Sequence, residues 1–212
     1  MNDVSRETPS APDVARRVFA DHLPLAITCA ELLAPGGVTR GLIGPREAPR
    51  LWERHLLNSA VLTEVFADEK SVADIGSGAG LPGIAVAIRR PDLRVTLIEP
   101  LLRRTTFLEE CVERLALANV EVVRARAEEL HGERAFDVVT SRAVAPLDRL
   151  AKWSIPLLAP GGEMVAMKGA SAPDELKAHR GAVHRLGGRS FAVERLGEDW
   201  LEQPTTVIRV GI

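Results

Sequence analysis

The sequence of 212 residues predicts an α/β fold, a Rossmann-like, doubly wound sheet of seven strands that is mostly parallel and carries helices on both faces. Three observations support this prediction. An apolar run ends in a glycine-rich turn, further short apolar runs then alternate with helical segments, and the last two runs follow each other with no helix between them. Alternating strands and helices are typical of a parallel sheet, whereas two strands joined directly pair antiparallel, so the sheet is expected to end in a hairpin.

Residues 1–68 are predicted to form a polar tail and a helical extension ahead of the sheet. Residues 1–11 are small and polar and contain proline, which is typical of a frayed terminus. Apolar residues then recur at helical spacing from Asp13 to Leu33, with a kink or break expected at Pro24, and again from Glu47 to Phe66.

Residues 69–212 are predicted to form the second unit, which contains the whole sheet. Its strands are expected at 71–75, 94–99, 120–125, 136–141, 163–168, 189–196 and 205–210, and its helices at 82–89, 103–118, 147–158 and 173–186. A turn at 160–162 leads into the fifth strand. By analogy between folds, a doubly wound sheet that ends in a hairpin is more typical of methyltransferases than of nicotinamide-binding Rossmann domains.

Composition limits the classes of function. The 27 Lys and Arg residues against 29 Asp and Glu give a net charge of -2, so any contact with nucleic acid has to be a local patch. Cys29 and Cys111 fall in predicted helices among apolar residues, which indicates reduced core cysteines in a cytoplasmic protein. No metal-ligand spacing occurs, and no apolar run approaches the ~20 residues that cross a bilayer, so neither a metal site nor membrane insertion is predicted.

The glycine-rich turn predicts a bound cofactor. Gly76, Gly78 and Gly80 alternate after the first strand, with Asp74 two places ahead of them. The dinucleotide fingerprint reads GxGxxG and receives a pyrophosphate, which a carboxylate this close would repel. A carboxylate can instead accept hydrogen bonds from an ammonium group, such as that of S-adenosylmethionine. The alternative, a tight turn without ligand, would spend the conformational entropy of three glycines for no gain.

Other side chains are expected at the same edge of the sheet. Glu99 ends the second strand, where an acidic residue can bind both hydroxyls of a ribose, although an exposed strand-end Glu is the simpler alternative. Ala127 and Glu128 follow the third strand and can border an adenine, or merely place charge at a helix N-terminus.

The segment after the fourth strand bears on the reaction. It reads Ser-Arg-Ala-Val-Ala-Pro from Ser141, and it lacks both the (N/D)PP(Y/F) run that holds exocyclic amines and the Pro-Cys pair of cytosine C5 methylation. A guanine N7 carries a free lone pair at neutral pH, so its methylation needs in-line placement and no general base. The few acid and base groups expected here fit that reaction.

Several runs together resemble one family. The runs DIGSGAGLPGI, LIEPLLRRTTFLE, RARAEEL, FDVVTSRAVAPL and LAPGGEMVAMKG are similar to the small-subunit ribosomal RNA guanine-N7 methyltransferase G family, also called glucose-inhibited division protein B. The resemblance covers residues 40–210. RHLLNSAVL, at 54–62, resembles the RH..DS run of that family, with Asn58 where Asp is usual. The resemblance implies methyl transfer from S-adenosylmethionine to N7 of one guanosine in a decoding-region loop of 16S rRNA.

The resemblance also implies roles for individual residues. Arg126 matches an arginine regarded as part of the active site. Gln203 stands near the place where the family tends to have a basic residue, which leaves one substrate or phosphate contact in question. The residues that match cofactor-contacting positions of the family are Gly76, Leu81, Ala127, Glu128 and Arg142.

Basic side chains at this edge are candidates for substrate contacts. An Arg142 clamp on guanine O6 and N7 would block the attacking lone pair, so we expect it to hold the cofactor carboxylate, guanine O6 or a phosphate; a surface arginine is the alternative. Lys168 can meet a phosphate or carboxylate, or extend into solvent. The candidate rRNA footprint, which is equally a solvated surface, comprises Arg40, Arg46, Arg50, Arg54, Arg103 and Arg104.

Other functions stay open from the sequence. A small-molecule methyltransferase is slightly favoured by the nearly neutral net charge and the few aromatic residues, but the arginine-rich edge and the family resemblance argue against it. A ribosome-assembly factor without catalysis would use the same fold for binding. A nicotinamide-dependent oxidoreductase is disfavoured by Asp74 and the GxGxG spacing. The expected partner is 16S rRNA or the small ribosomal subunit, and the expected state is a monomer.

Overall fold

The structure is a computed structural model that describes residues 8–37, 40–44, 47–142 and 144–212. The first seven residues of the predicted tail, Arg46 of the predicted footprint and Ala143 after the fourth strand lie outside the described residues.

A seven-stranded sheet confirms the predicted fold class. The strands are β1 Ser71–Ile75, β2 Arg94–Ile98, β3 Val120–Val123, β4 Phe136–Arg142, β5 Leu158–Lys168, β6 Ser190–Leu196 and β7 Thr205–Gly211. Their spatial order is β3-β2-β1-β4-β5-β7-β6. The first five strands are parallel, and β7 runs antiparallel to both β5 and β6. The order reverses between β1 and β4, which opens a crevice outside their carboxyl ends.

Helices surround the sheet and precede it. The α-helices are α1 Asp13–Phe19, α2 Leu23–Leu32, α3 Asn58–Ala60, α4 Gly83–Arg89, α5 Leu102–Arg114, α6 Leu147–Ser154 and α7 Ala172–Arg185. Short 3₁₀ turns occur at Ala20–His22, Ala48–Arg50, Val61–Val65, Ala127–Leu130 and Ile155–Leu157, and π-helical turns at Leu33–Gly37 and Trp52–Leu57.

The break expected in the first long helix is confirmed, and the observed elements differ in kind from the predicted ones in two other places. The first long helix breaks at Ala20–His22, just ahead of Pro24, because proline is tolerated in the first turn of α2 but not within a helix. The second predicted helix is a succession of 3₁₀, π and α turns between residues 48 and 65. The predicted turn at 160–162 lies inside β5, where the pairing with β4 shifts register.

Two hydrophobic cores lie on the two faces of the sheet. One packs α4 and α5 and also receives the helical extension, with Leu33, Leu57, Ile84, Leu97 and Leu108 among its fully buried side chains. The other packs α6 and α7 through Ile75, Val139, Leu150, Val183 and Ile208. The extension therefore shares a core with the sheet and is held beside it.

Among the described residues, the structure has no helix long and apolar enough to span a membrane.

Candidate active site

The turn after β1 has the backbone that its glycines predict. Gly76, Gly78 and Gly80 have φ values of 69°, 57° and 89°, a region that disfavours other residues. A Cβ atom at Gly80 would lie 2.3 Å from the Cδ1 atom of Ile84. The glycines thus allow both the left-handed turn and its tight packing on the helix that follows.

Asp74 lies beneath this turn and is fully buried. Its Oδ2 atom accepts a hydrogen bond of 2.9 Å from the N–H of Gly83 at the start of α4. Its Oδ1 atom is buried with no partner among the described residues. Burial raises the pKa of the carboxyl group to about 7, although the Gly83 hydrogen bond and the charge of Arg142 oppose the shift. Asp74 therefore organises the turn and keeps one acceptor free.

The contact between Asp74 and Gly83 leaves no room for a side chain. A Cβ atom at Gly83 would lie 2.2 Å from Cδ2 of Leu97 and 2.9 Å from Oδ2 of Asp74. We expect Gly83→Ala to lower the free energy of unfolding by about 1–3 kcal/mol through overpacking. Urea unfolding measures this, with Gly169→Ala as the control because a Cβ atom there has no neighbour within 4 Å. Equal stability of the two variants would contradict the packing argument.

Glu99 connects the ends of two neighbouring strands and is almost fully buried. Its Oε2 atom accepts a 3.1 Å hydrogen bond from the N–H of Gly78, and its Oε1 atom accepts one of 3.1 Å from the N–H of Leu101. The guanidinium of Arg104 lies 3.5 Å from Oε2. Glu99 is thus not the exposed strand-end residue of the simpler alternative, and its orientation is fixed.

A first cavity of about 620 Å³ opens at the carboxyl ends of β1, β2 and β4. Six of the predicted site residues line it, namely Gly76, Glu99, Arg126, Ala127, Glu128 and Arg142. Its apolar walls include Ile98, Ala125 and Trp153. The other four predicted site residues do not line this cavity, namely Asp74, Gly78, Gly80 and Leu81. The predicted site therefore consists of six residues that line the cavity and four that support them.

A second cavity of about 1110 Å³ lies between the helical extension and the part of the sheet formed by β4, β5 and the terminal hairpin. Residues from the extension, from the ends of β4 and β5 and from the terminal hairpin line it, among them Arg54, His55, Asn58, Lys168, Arg195 and Gln203. Both departures from the family pattern, Asn58 and Gln203, thus fall in this one cavity. Arg142 lines both cavities and therefore lies at the boundary between them.

Arg142 is held by the extension rather than free in solvent. Its Nη2 atom contacts Nδ1 of His55, and its Nη1 atom donates to the carbonyl oxygen of Arg54 at 3.4 Å. His55 is 7% exposed, and its Nε2 atom lies 3.0 Å from Oε2 of Glu47. Burial lowers the pKa of the Arg142 guanidinium, while the charges of Asp74 and Glu47 raise it. A connected chain of polar groups therefore ends at the junction of the cavities.

The remaining basic candidates are placed differently. The Nζ atom of Lys168 donates to the carbonyl oxygen of Ala145 at 2.9 Å and pairs with Glu175 at 2.8 Å. Arg40 pairs with Glu110 at 2.7 Å, in a third cavity away from Arg142. Lys168 thus meets a carboxylate of its own chain, and the described arginines of the predicted footprint divide among separate places.

Two functional candidates were missed by the sequence reasoning. His55 lies within the quoted run RHLLNSAVL, but no role followed from that run alone. Trp153 lines the first cavity from the last turn of the amphipathic helix α6, where an aromatic residue predicts core packing. The run marks the position of the histidine without giving its role, whereas no sequence signal points to the tryptophan.

Fold and site together define a class of protein, the Rossmann-fold methyltransferases. Their shared features here are the terminal hairpin, the glycine turn over a buried acidic residue and an acidic residue at the end of β2. Solved structures agree in fold. Precorrin-6y C5,15-methyltransferase from Geobacter metallireducens matches with a TM-score of 0.53 and 18% identity over 74% of this chain and 87% of its own. M. jannaschii TYW2, solved with AdoMet, matches with a TM-score of 0.56 and 15% identity over 76% of each chain.

Sequence comparison narrows the class. Residues 23–203 match the profile of the GidB family, rRNA small subunit methyltransferase G, and the chain belongs to this family. It is 62% identical to ribosomal RNA small subunit methyltransferase G of Nocardioides sp., over 99% of this chain and 84% of that protein. The relative from Streptomyces coelicolor is 57% identical over 97% and 87%. The predicted family and the predicted cofactor class, that of a methyltransferase using S-adenosylmethionine, are confirmed.

Proposed function

We propose that this protein transfers a methyl group from S-adenosylmethionine to N7 of a guanosine in a decoding-region loop of 16S rRNA. The observation that carries the proposal is the position of Arg142, whose guanidinium borders both cavities. In this proposal the first cavity holds the methyl donor and the second holds the target nucleotide. The protein acts in the cytoplasm as a monomer, with residues 69–212 as the methyltransferase domain and residues 1–68 as its extension.

The residues of the first cavity fit S-adenosylmethionine. Its volume falls within the roughly 300–1,000 Å³ that is usual for small-ligand sites. The unpartnered Oδ1 atom of Asp74 supplies an acceptor suited to the ammonium group, and the remaining lone pairs of Glu99 suit the ribose hydroxyls. Ala127 and Glu128 border the adenine beside Trp153. Because Gly76, Gly78 and Gly80 have no side chains, the ligand can approach the backbone of the turn. Leu81 packs behind this turn.

The bound donor supplies a methyl group activated on a sulfonium. Guanine N7 needs no deprotonation before it attacks, so the task of the protein is orientation. His55 already contacts Arg142 and Glu47 through its two ring nitrogens, which removes the nearest histidine from acid or base work. Arg142 holds the donor carboxylate, guanine O6 or a phosphate, and Arg126 lines the donor cavity from the adenine side. This arrangement supports transfer without a general base.

The second cavity suits a nucleotide taken out of a helix. The N7 edge of a guanine in an A-form helix faces a deep, narrow groove that side chains cannot read, so the target must lie in an open loop or leave its stack. Arg54 and Arg195 line this cavity and are about half exposed or more, although Arg54 also pairs with Glu47 and Arg195 with Glu198. They are suited to phosphates on either side of the target.

Methyl transfer from labelled S-adenosylmethionine to undermethylated small subunits and to naked 16S rRNA tests the proposal. Nuclease digestion is expected to yield labelled 7-methylguanosine from one site. Any other labelled nucleoside would refute the assignment to N7. Binding of donor and subunit without turnover would favour an assembly factor, and label confined to small molecules would favour a small-molecule methyltransferase.

Phosphate contacts predict a measurable salt effect. We expect Arg195→Gln to weaken rRNA binding and to reduce the slope of log K against log salt by about 1, because one released counterion is lost. Arg94→Gln is the matched control, since Arg94 begins β2 at the opposite edge of the sheet. Filter binding at several salt concentrations gives both slopes. Equal slopes for the wild type and Arg195→Gln would exclude a phosphate contact there.

A further inference from the structure

A chain of polar groups, with the buried His55 at its centre, connects the helical extension to the place where the two cavities meet. It runs from the carboxylate of Glu47 through the imidazole of His55 to the guanidinium of Arg142. We infer that Glu47 and His55 position Arg142 for methyl transfer, with His55 acting as a neutral acceptor. This inference rests on the proposed function and assigns positioning residues to it.

The donors and acceptors of the chain fix the form of the histidine. A guanidinium has N–H donors and no acceptor, so Nδ1 of His55 must present its lone pair to Arg142. The proton of a neutral imidazole then lies on Nε2 and is donated to Oε2 of Glu47, 3.0 Å away. His55 thus has one partner at each ring nitrogen, while Arg142 also donates to the carbonyl oxygen of Arg54 and Glu47 also pairs with the Arg54 guanidinium. The two contacts of Arg142 hold its guanidinium in one orientation.

Two neighbouring turns of the extension and a strand distant in sequence carry the chain. Glu47 stands just ahead of the 3₁₀ turn Ala48–Arg50, His55 lies on the π-helical turn Trp52–Leu57, and Arg142 ends β4. A π-helical turn places side chains where an α-helix would not, and such turns often mark functional sites. Trp52, Leu56 and Leu57 of the same turn belong to the core that the extension shares with the sheet, which places His55 beside the end of β4.

Protonation of His55 would break the chain. An imidazolium donates from both nitrogens and cannot accept from Arg142. The groups that face it are Glu47, Arg142 and Arg54, with Arg50 acting on Glu47 and Asp74 facing Arg142 from β1. Burial and the charge of Arg142 lower the pKa of His55, while Glu47 raises it. Activity is therefore expected to fall on the acid side as His55 takes up a proton.

Two substitutions of His55 separate positioning from packing. The amide oxygen of Asn can replace the Nδ1 acceptor, whereas the amide of Gln reaches the place of Nε2 and faces Glu47. We expect His55→Asn to keep kcat within about tenfold of the wild type and His55→Gln to lower it about 100-fold, because misplacement by about 1 Å can cost that factor. The acid limb of kcat against pH is expected in the wild type and absent in His55→Asn.

Steady-state and single-turnover kinetics on undermethylated subunits measure these effects, with circular dichroism to check folding. Activity of His55→Gln equal to or above that of His55→Asn would overturn the inference. Glu47→Gln gives an independent measurement. It removes the charge that raises the pKa of His55, so the acid limb is expected to move to lower pH. An unmoved limb would also overturn the inference, whereas a wild type that forms no 7-methylguanosine would refute the proposed function instead.

Discussion

Replacing Arg142 by alanine is expected to lower kcat for methyl transfer at least about 100-fold, the cost of losing the orientation of reacting groups. Arg142 lines both cavities, and its side chain is fixed by His55 and by the carbonyl oxygen of Arg54. Its loss removes a positive charge from the place where donor and target must meet. It also leaves the buried Nδ1 atom of His55 without its donor.

Arg142→Lys is the matched control for charge. A lysine keeps the positive charge but has a single ammonium group, which cannot serve His55 and a ligand with the fixed fork of a guanidinium. We therefore expect it to recover little of the lost kcat. Calorimetry with S-adenosylmethionine and single-turnover transfer at saturating donor separate binding from orientation. If Arg142→Ala changed neither donor affinity nor transfer, Arg142 would have no part in the site.

The fold was predictable because its signals are local. Each strand of the parallel region is a short apolar run bounded by turn residues, and burial on both faces makes such runs continuous. The two last apolar runs follow each other with no helix between them, and this local signal predicted that β6 and β7 pair antiparallel. The start of β5 was missed because Pro160 and two glycines are typical of a turn. Leu158 pairs with β4 ahead of these residues and Glu163 pairs with it after them, with a shift of register between the two pairs.

The site was predictable only where it follows the strands. Asp74, Glu99 and Arg142 come at or near strand ends, and parallel strands bring those ends to one edge of the sheet. The role of His55 could not be found in this way. It lies 87 residues from Arg142 in the chain, and their contact depends on how the extension packs against the sheet. Periodicity defines an apolar helical face but not the strand end that it meets.

Replacing Asp74 by asparagine is expected to change stability and donor binding in opposite directions as the pH rises. The folded protein holds the pKa of Asp74 at about 7, against an ordinary value near 3.9 in the unfolded chain. Below about pH 4 both states bind the proton, and no stability is lost. Between about pH 4 and 7 the unfolded chain releases it while the folded chain retains it, which destabilises the wild type by on the order of 4 kcal/mol. Asparagine does not ionise, so its free energy of unfolding should rise relative to the wild type over this range.

Donor binding is expected to reverse this advantage, because in the proposed site the ammonium group of S-adenosylmethionine would stabilise the ionised Asp74 through its unpartnered Oδ1 atom. A hydrogen bond to a charged group is worth about 1.5–3 kcal/mol, so Asp74→Asn should weaken donor binding by about 10- to 100-fold at pH 7.5. Wild-type affinity should increase between pH 6 and 7.5, and that of the variant should not. Urea unfolding and calorimetry across this range measure both trends. Parallel stability profiles together with equal donor affinities would show that Asp74 only supports the turn, and the free acceptor beneath the glycines would then have no ligand.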